Sequence, residues 1–377
     1  MEITAAVTRK ADAPPRLEAL TLDAPRDDEL LIRIVAAGIC HTDLSASALS
    51  PLPAVFGHEG AGIVEAVGSA VRDFHPGDRV CLSFGSCGGC GACHEEAPAY
   101  CDHMMQLQFG GVRLDGTTTL HDGHAPVHGA FFQQSSFATY ALATARNTVH
   151  VPDDIPLEIA APFGCGIQTG AGAVLNVLDL DAHESLVVFG AGSVGLAAIM
   201  AAAVVGCTPV VAVDPIADRR ALAMSLGATH TVDPTDHPDL LRELRDLCPG
   251  GAHASLETAG HVQSFTTAID VLRMRGTCGL VTVPNMGRPF EFSPVNLLFG
   301  RRLVGILEGA SVPEVFLPRL FDLYRQGRLP VDRLIRRYPF SDIAAAMADS
   351  ASGRTVKPVL CMEEQTCSEA LRSAQKR

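Results

Sequence analysis

The chain has 377 residues, enough for two domains that each bury a core. Hydrophobic residues make up 47% of it, and its 35 glycines and 24 prolines gather in no low-complexity tract, which argues for a folded enzyme over a disordered or repetitive protein. A formal net charge of −13 argues against a nucleic-acid binder or a ligand of anionic membranes.

Met1 to Lys10 carries no apolar core of signal-peptide length, so the chain reads as cytoplasmic. Twelve cysteines in such a chain read as metal ligands, nucleophiles or core residues before disulfides. Residues 1–150 read as β-rich. Apolar runs at Leu30–Val35, Gly62–Val67 and Arg79–Leu82 are separated by Gly, Pro and Asp. Cys40-His41-Thr42-Asp43 follows the first of these runs, and Gly57-His58-Glu59-Gly60 follows a loop.

Residues 84–135 read mostly as loop, rich in Gly, His and Cys, and a loop of that length needs a staple or a function. Cys87, Cys90, Cys93 and Cys101 form C-x2-C-x2-C-x7-C inside it. Four thiolates at that spacing suit a closed, tetrahedral, structural zinc, whose binding offsets the ordering entropy of the loop. An iron–sulfur cluster also takes four cysteines and is compatible with the spacing.

Cys165 stands in Gly164-Cys165-Gly166. Singly, Cys40, His58 and Cys165 read as core residues. Together, two cysteines and a histidine make a three-ligand set that leaves a fourth position for water or a substrate oxygen. Zinc there acts as a Lewis acid on an alcohol, although other divalent ions also occupy such sites. Thr42 is placed to take the alcohol's proton, and Asp43 and Glu59 to orient ligands or hold charge near the metal.

From about residue 167, short apolar strands alternate with helical segments. The strands are Leu186–Phe189, Val210–Val213, His230–Val232, Ala254–Glu257, Gly279–Val283 and Leu303–Leu307, with helices such as Val194–Val205 and Ala217–Leu226 between them. That alternation predicts a doubly wound parallel sheet. The uncharged stretch Leu186–Gly206 is broken by Gly190, Gly192 and Gly195 and reads as buried strand, turn and helix, not as a membrane span. Gly190-Ala191-Gly192-Ser193-Val194-Gly195 is a GxGxxG in the strand-to-helix context that makes it a dinucleotide site. Asp214 ends the next strand 19 residues after Gly195, which suits the free ribose hydroxyls of NAD; Arg219 and Arg220 stand nearby. A helix is predicted at Pro313–Gln326, an edge-like strand at Val356–Cys361, and a mobile polar tail after Met362.

In order and spacing these segments resemble the zinc-dependent medium-chain alcohol dehydrogenases over about residues 2–361. Ser135-Ser136-Phe137-Ala138-Thr139-Tyr140-Ala141, the run Gly164–Gly172, Asn147-Thr148-Val149 and Gly305-Ile306-Leu307-Glu308-Gly309 are similar to the aryl-alcohol (benzyl alcohol) dehydrogenase branch. The resemblance implies two Zn2+ per chain. Cys40, His58 and Cys165 would hold the catalytic ion, and Cys87, Cys90, Cys93 and Cys101 the structural one. It implies NAD, with His41 and Lys357 at the pyrophosphate, Asp214 at the adenosine ribose and Arg219 beside it. Thr42 would begin the proton relay, and Glu59 would approach the metal during ligand exchange. Many relatives carry a histidine where this chain has Ser45, so the proton leaves either through Ser45 and water or through cofactor hydroxyls and His41.

The fold expected is α/β: a GroES-like β-rich catalytic domain, residues 1–166 and 306–377 with the zinc lobe at 84–104, and a Rossmann doubly wound parallel-sheet domain over 167–305. The active site is expected in the cleft between domains. The expected partner is a small-molecule primary aromatic or allylic alcohol or its aldehyde, with Phe109, Phe131 and Phe132 either lining the pocket or packing the core. Nucleic acid and membrane are not expected as partners. By resemblance the chain is a homodimer or homotetramer. Two other readings are a dehydrogenase of glutathione- or mycothiol-conjugated formaldehyde, with Arg113 and several histidines the basic candidates near the loop, and a non-catalytic NAD-binding redox sensor.

Overall fold

A computed structural model describes residues 1–11, 13–236, 239–282, 291 and 293–362. The chain divides into two compact units. One holds Met1–Cys165, Val312–Arg325 and the segment from Val331 onward; the other holds Gly166–Ser311 and Gln326–Pro330. Val283 and the tail after Met362 lie outside the described residues.

The first unit is built on two sheets. In one, strand Glu2–Thr8 pairs antiparallel with Arg16–Leu22 and with Ala54–Val55, and Arg16–Leu22 goes on to Leu120–Asp122 and Ala125–Val127. The other runs Thr148–His150, Arg79–Leu82, Gly60–Val67, Glu29–Gly38, Lys357–Cys361, Ile335–Pro339, with Tyr140–Thr144 also on Glu29–Gly38. Strand Glu29–Gly38 shows why: Leu30, Ile32 and Ile34 point inward and are buried, while Leu31 and Arg33 between them are half-covered. Ile32, Ile34, Val64, Val80, Phe137 and Leu360 meet in one core. The strand expected at the edge is interior instead. Lys357–Cys361 is buried at every residue, between Glu29–Gly38 and the parallel strand Ile335–Pro339.

The loop-rich stretch 84–135 carries more structure than its composition suggests. It holds short helices at Gly91–His94 and Met104–Phe109 and the hairpin Leu120–Asp122/Ala125–Val127. Arg113 pins it to the core. Its guanidinium donates to both carboxylate oxygens of Glu29 at 2.6 and 3.0 Å and to Asp23 at 3.0 Å. The Arg113 and Glu29 side chains are 7% and 8% exposed.

The second unit is a six-stranded parallel sheet in the order His230–Val232, Val210–Val213, Leu186–Phe189, Ala252–Glu257, Leu272–Leu280, Arg302–Gly305. Counted along the chain this is order 3-2-1-4-5-6, the doubly wound pattern that binds dinucleotides where the order reverses. The uncharged run from Leu186 is the central strand, a turn and the alanine-rich helix Ser193–Val205, whose residues from Gly195 to Ala202 are buried. Gly206, at φ +92°, ends that helix in the left-handed conformation. Among the described residues no helix is long and apolar enough to cross a membrane.

Replacing Arg113 by Met should strand Glu29 as a buried, uncompensated charge. We expect a loss of about 3–5 kcal/mol in the stability of the first unit, read as a lower denaturation midpoint; an unchanged midpoint would show that the pair carries no such load.

Candidate active site

Helix His41–Ser45 begins at Cys40, and Asp43 does three things at that point. Its Oδ2 accepts the Cys40 amide at 2.9 Å, and its Oδ1 accepts the Gly57 amide at 3.1 Å and faces His58 Nδ1 at 2.8 Å. A carboxylate on Nδ1 makes that nitrogen the donor and leaves Nε2 as the ligand atom. His58 is fully buried, and its Nε2 has no hydrogen-bond partner. Ligand atoms of Cys40, His58, Glu59 and Cys165 all lie within 4.8 Å of one another. A buried, lone imidazole nitrogen facing two thiols fits a metal ion and little else. Thr42 Oγ1 lies 3.8 Å from Cys40 Sγ, beside the same position.

The charges are arranged for a cation. The hydrogen bond with Cys165 is the strongest influence on Cys40 and, against burial, holds its thiol well below the ordinary range. Burial acts to lower the His58 pKa, but the charge and hydrogen bond of Asp43, together with those of Cys40 beside the ring, outweigh it and hold the ring well above the usual histidine range. Burial raises Glu59, opposed by Lys357, whose Nζ sits 2.8 and 2.9 Å from its carboxylate oxygens.

The four lobe cysteines also converge. Cys87 and Cys93 sulfurs are 3.9 Å apart and those of Cys90 and Cys101 3.8 Å, with all four within 4.8 Å. These are not disulfides, which need about 2 Å. A tetrahedron with zinc–sulfur bonds of about 2.3 Å has edges of about 3.8 Å, so the set fits one shared ion better than a multi-iron cluster wedged between the sulfurs. The amides of Asp102 and Cys93 lower the Cys90 thiol to about 6, while burial pushes Cys101 up to about 12. Among the described residues no cysteine forms a disulfide.

In the second unit, Gly190 sits at φ +92° with its amide on Val213 O at 2.8 Å. A Cβ on Gly195 would lie 1.9 Å from Gly190 O, so only glycine lets helix Ser193–Val205 close on the strand. Gly192 caps that helix, and the first amides, of Ser193, Val194 and Gly195, lie at its positive end, where a pyrophosphate is favoured. Asp214 is buried at the end of its strand, accepting the amides of Ala191 at 2.7 Å and Ile216 at 2.8 Å. Arg219 lies 4.0 Å from it. Arg220 is committed to Asp214 O and to Asp233, each at 2.7 Å, which takes it from the role of a 2′-phosphate reader.

Some predicted residues stand elsewhere than expected. Lys357 is fully buried, and its hydrogen bonds go to Glu59 and to Ile39 O. It is the counter-charge of Glu59, and a pyrophosphate contact would have to draw it away. Ser45 Oγ donates back to the carbonyls of His41 and Thr42, both at 3.3 Å, as a helical serine does. His41 is exposed. Phe131 and Phe132 pack in the core and against the metal cluster at once. Phe132 stacks on His58 at 4.4 Å between centroids and Phe131 meets it edge-on at 5.6 Å, with Phe109 against both phenylalanines. Arg113, held by Glu29 and Asp23, is not a cation for an anionic adduct.

Sequence reasoning missed Glu257. Buried at the end of strand Ala252–Glu257, it accepts the amides of Ala259 and Gly260 and the hydroxyls of Ser264 and Thr282. It thereby fixes the Thr258–Gly260 turn against Gly190, where Thr258 Oγ1 donates to Phe189 O and Gly190 O. An acid at a strand end, followed by small residues, is the only signal it gives.

The chain is similar to known proteins over most of its length. The alcohol dehydrogenase GroES-like domain matches residues 26–153, and the zinc-binding dehydrogenase family matches residues 193–323. A geraniol dehydrogenase of Castellaniella defragrans is 46% identical over 360 residues, which cover 94% of this chain and 96% of the relative. The crystal structure of benzyl alcohol dehydrogenase from Acinetobacter calcoaceticus is 41% identical with a TM-score of 0.92, covering 96% of this chain and 100% of that one. An alcohol dehydrogenase zinc-binding domain protein from Burkholderia ambifaria is 47% identical with a TM-score of 0.93, covering 97% and 100%.

Metal at the open cluster must displace the His58 proton. In the metal-free protein the protonated ring stabilises the fold fully below the ordinary histidine pKa of about 6.5, and that contribution is lost as pH rises through the raised value. Zinc and proton therefore compete. Adding zinc to the stripped protein should raise its melting temperature less at about pH 5.5 than at about pH 8; an equal gain at both would mean that no proton leaves.

Proposed function

Because the chain belongs to the zinc-binding alcohol dehydrogenase family, we propose that it oxidises primary aromatic or allylic alcohols to aldehydes, reversibly, with NAD as the hydride acceptor. The observation that carries the reading is His58 Nε2, buried and without a hydrogen-bond partner, facing Cys40 and Cys165.

Bound zinc supplies Lewis acidity, which brings the pKa of an alcohol towards neutrality. Cys40, His58 and Cys165, whose ligand atoms lie within 4.8 Å of one another and of Glu59, would hold the ion, and a three-ligand set would leave a position for the substrate oxygen. Thr42 takes the hydroxyl proton, since its own hydroxyl borders that position. With Ser45 turned back on its helix, the route through cofactor hydroxyls and the exposed His41 is the one we propose for the proton's exit to solvent. The carbon loses hydride as the oxygen loses its proton, so alcohol and NAD+ give aldehyde, NADH and one proton. Gly190, Gly192 and Gly195 with the helix they open hold the pyrophosphate, and the Asp214 carboxylate prefers free ribose hydroxyls to a 2′-phosphate.

The substrate class rests on two supports. Phe109, Phe131 and Phe132 set an apolar wall beside His58, and relatives of this chain act on geraniol and benzyl alcohol, as their names state. The thiol-adduct reading loses Arg113 as a cation, because two acids hold it. Assembly as a homodimer or homotetramer rests on the family likeness. A cytoplasmic setting is part of the same reading, for a chain in which no cysteine among the described residues forms a disulfide.

We expect purified protein with two zincs per chain to reduce NAD rapidly with benzyl alcohol or geraniol, slowly with ethanol, and poorly when NADP replaces NAD. Initial rates settle it: no turnover with any alcohol at full zinc content would end the proposal, and turnover only with added thiol would move it to conjugated aldehydes. Thr42→Val should cut kcat by about 10²–10⁴-fold at unchanged zinc content. A kcat near wild type would take Thr42 out of the relay.

A further inference from the structure

We propose that Gln134 is a positioning residue of the open metal site, and that the left-handed segment around it is the brace that holds the metal-binding loop in shape. The inference rests on the metal reading given above and deepens it.

Residues 56–59, which carry His58 and Glu59, have no regular secondary structure. Something else must fix their backbone. Gln134 is fully buried. Its Nε2 donates to His58 O and to Ser83 O, each at 3.0 Å, and its Oε1 accepts the Gly60 amide at 3.0 Å. One side chain thus holds the carbonyl before Glu59 and the amide after it. Both of its donor hydrogens are used, and both go to backbone carbonyls.

The segment carrying Gln134 runs beside the loop rung by rung. Ser135 Oγ donates to Val55 O at 2.6 Å, the Phe137 amide to Phe56 O at 3.0 Å and the Ser136 amide to Gly57 O at 2.9 Å. Reaching this position takes an unusual backbone. Phe132, Gln133 and Ser135 have φ of +52°, +56° and +48°, the left-handed region that side-chain-bearing residues seldom adopt. Three such residues in four positions persist only where the surroundings force them, and they gather at functional sites. The same turn lays the Phe132 ring on His58.

The close approach also explains the two glycines of Gly57-His58-Glu59-Gly60. A Cβ on Gly60 would stand 3.0 Å from Gln134 Oε1 and 2.7 Å from Ser136 Cβ, and one on Gly57 2.5 Å from the Phe137 amide nitrogen. Asp43 orients the His58 ring from one side, and Gln134 fixes its main chain from the other. A partner of a metal ligand acts through the ligand's geometry, and its loss lowers metal affinity.

The test uses Gln134→Met, which keeps the shape and removes all three bonds, with Gln134→Asn, which keeps the amide on a shorter stem. Zinc release to a chromogenic chelator is followed in both, and Co2+ replaces zinc for an absorption spectrum. The lobe metal is the internal control. We expect open-site affinity for zinc to fall by about 10–100-fold in Gln134→Met and less in Gln134→Asn, with lobe metal retained and the open-site Co2+ bands displaced. Release from both sites at wild-type rates would overturn the inference. So would equal loss from both sites with a lower melting temperature, which marks a general structural role. If Gln134→Met yields no folded protein, the same two readings in Gln134→Asn decide. Wild-type protein that binds metal in the lobe alone would overturn the open-site reading itself and this inference with it.

Discussion

The ion pair between Glu59 and Lys357 ties together pieces of chain that are 298 residues apart. Both side chains are buried, at 0% and 1% exposure. A buried acid without its partner is strongly destabilising, so neither group tolerates separation. The pair therefore requires strand Lys357–Cys361 to lie against Glu29–Gly38, with Val359 facing Gly38. A Cβ on Gly38 would fall 2.0 Å from Glu59 Oε2, so glycine there is what lets the carboxylate in. The first unit is completed only when the chain has returned from building the second.

That pairing also sets the electrostatics of the metal cluster. Two thiolates balance a divalent ion, and Lys357 balances Glu59, so a loaded site adds little uncompensated charge to the interior. Without Lys357 the carboxylate would either take a proton, since burial already raises it, or compete for the metal. The lobe solves a different problem. Its four sulfurs close the coordination sphere and its work is to order a stretch with a small core of its own. The other cluster gathers Cys40, His58, Glu59 and Cys165 from separate places in the chain, with Asp43 supporting His58, the helix start Cys40 and Lys357 Glu59.

What can be read from sequence follows from how local the chemistry is. The lobe cysteines lie within 15 residues and the glycine turn within six, and each motif announces its purpose by spacing. The central parallel strands Leu186–Phe189 and Val210–Val213 are apolar and buried at every residue and stand out between helices, as buried parallel strands do. Strand Lys357–Cys361 reads as an edge because its outer neighbour is Ile335–Pro339, whose two arginines and terminal proline give little strand signal. Pairings over long separations are silent: Arg113 with Glu29 and Lys357 with Glu59 join residues that no local pattern relates. Gln134 is silent for another reason. Left-handed turns are ordinarily betrayed by Gly, Asn or Asp, and Phe132, Gln133 and Ser135 are none of these.

The division between what is local and what is long-range has a thermodynamic side. Left-handed residues at Phe132, Gln133 and Ser135 cost about 1–3 kcal/mol each and are upheld only by bonds that form once the sheet of the first unit exists. The loop they brace gains its shape from the same bonds. Metal affinity at the open cluster is in this way coupled to the folding of the whole unit, whereas the lobe, whose ligands are neighbours in sequence, gathers its ion with little help from the rest. One chain thus carries two metal sites built on opposite terms: one that organises its surroundings, and one that its surroundings must organise.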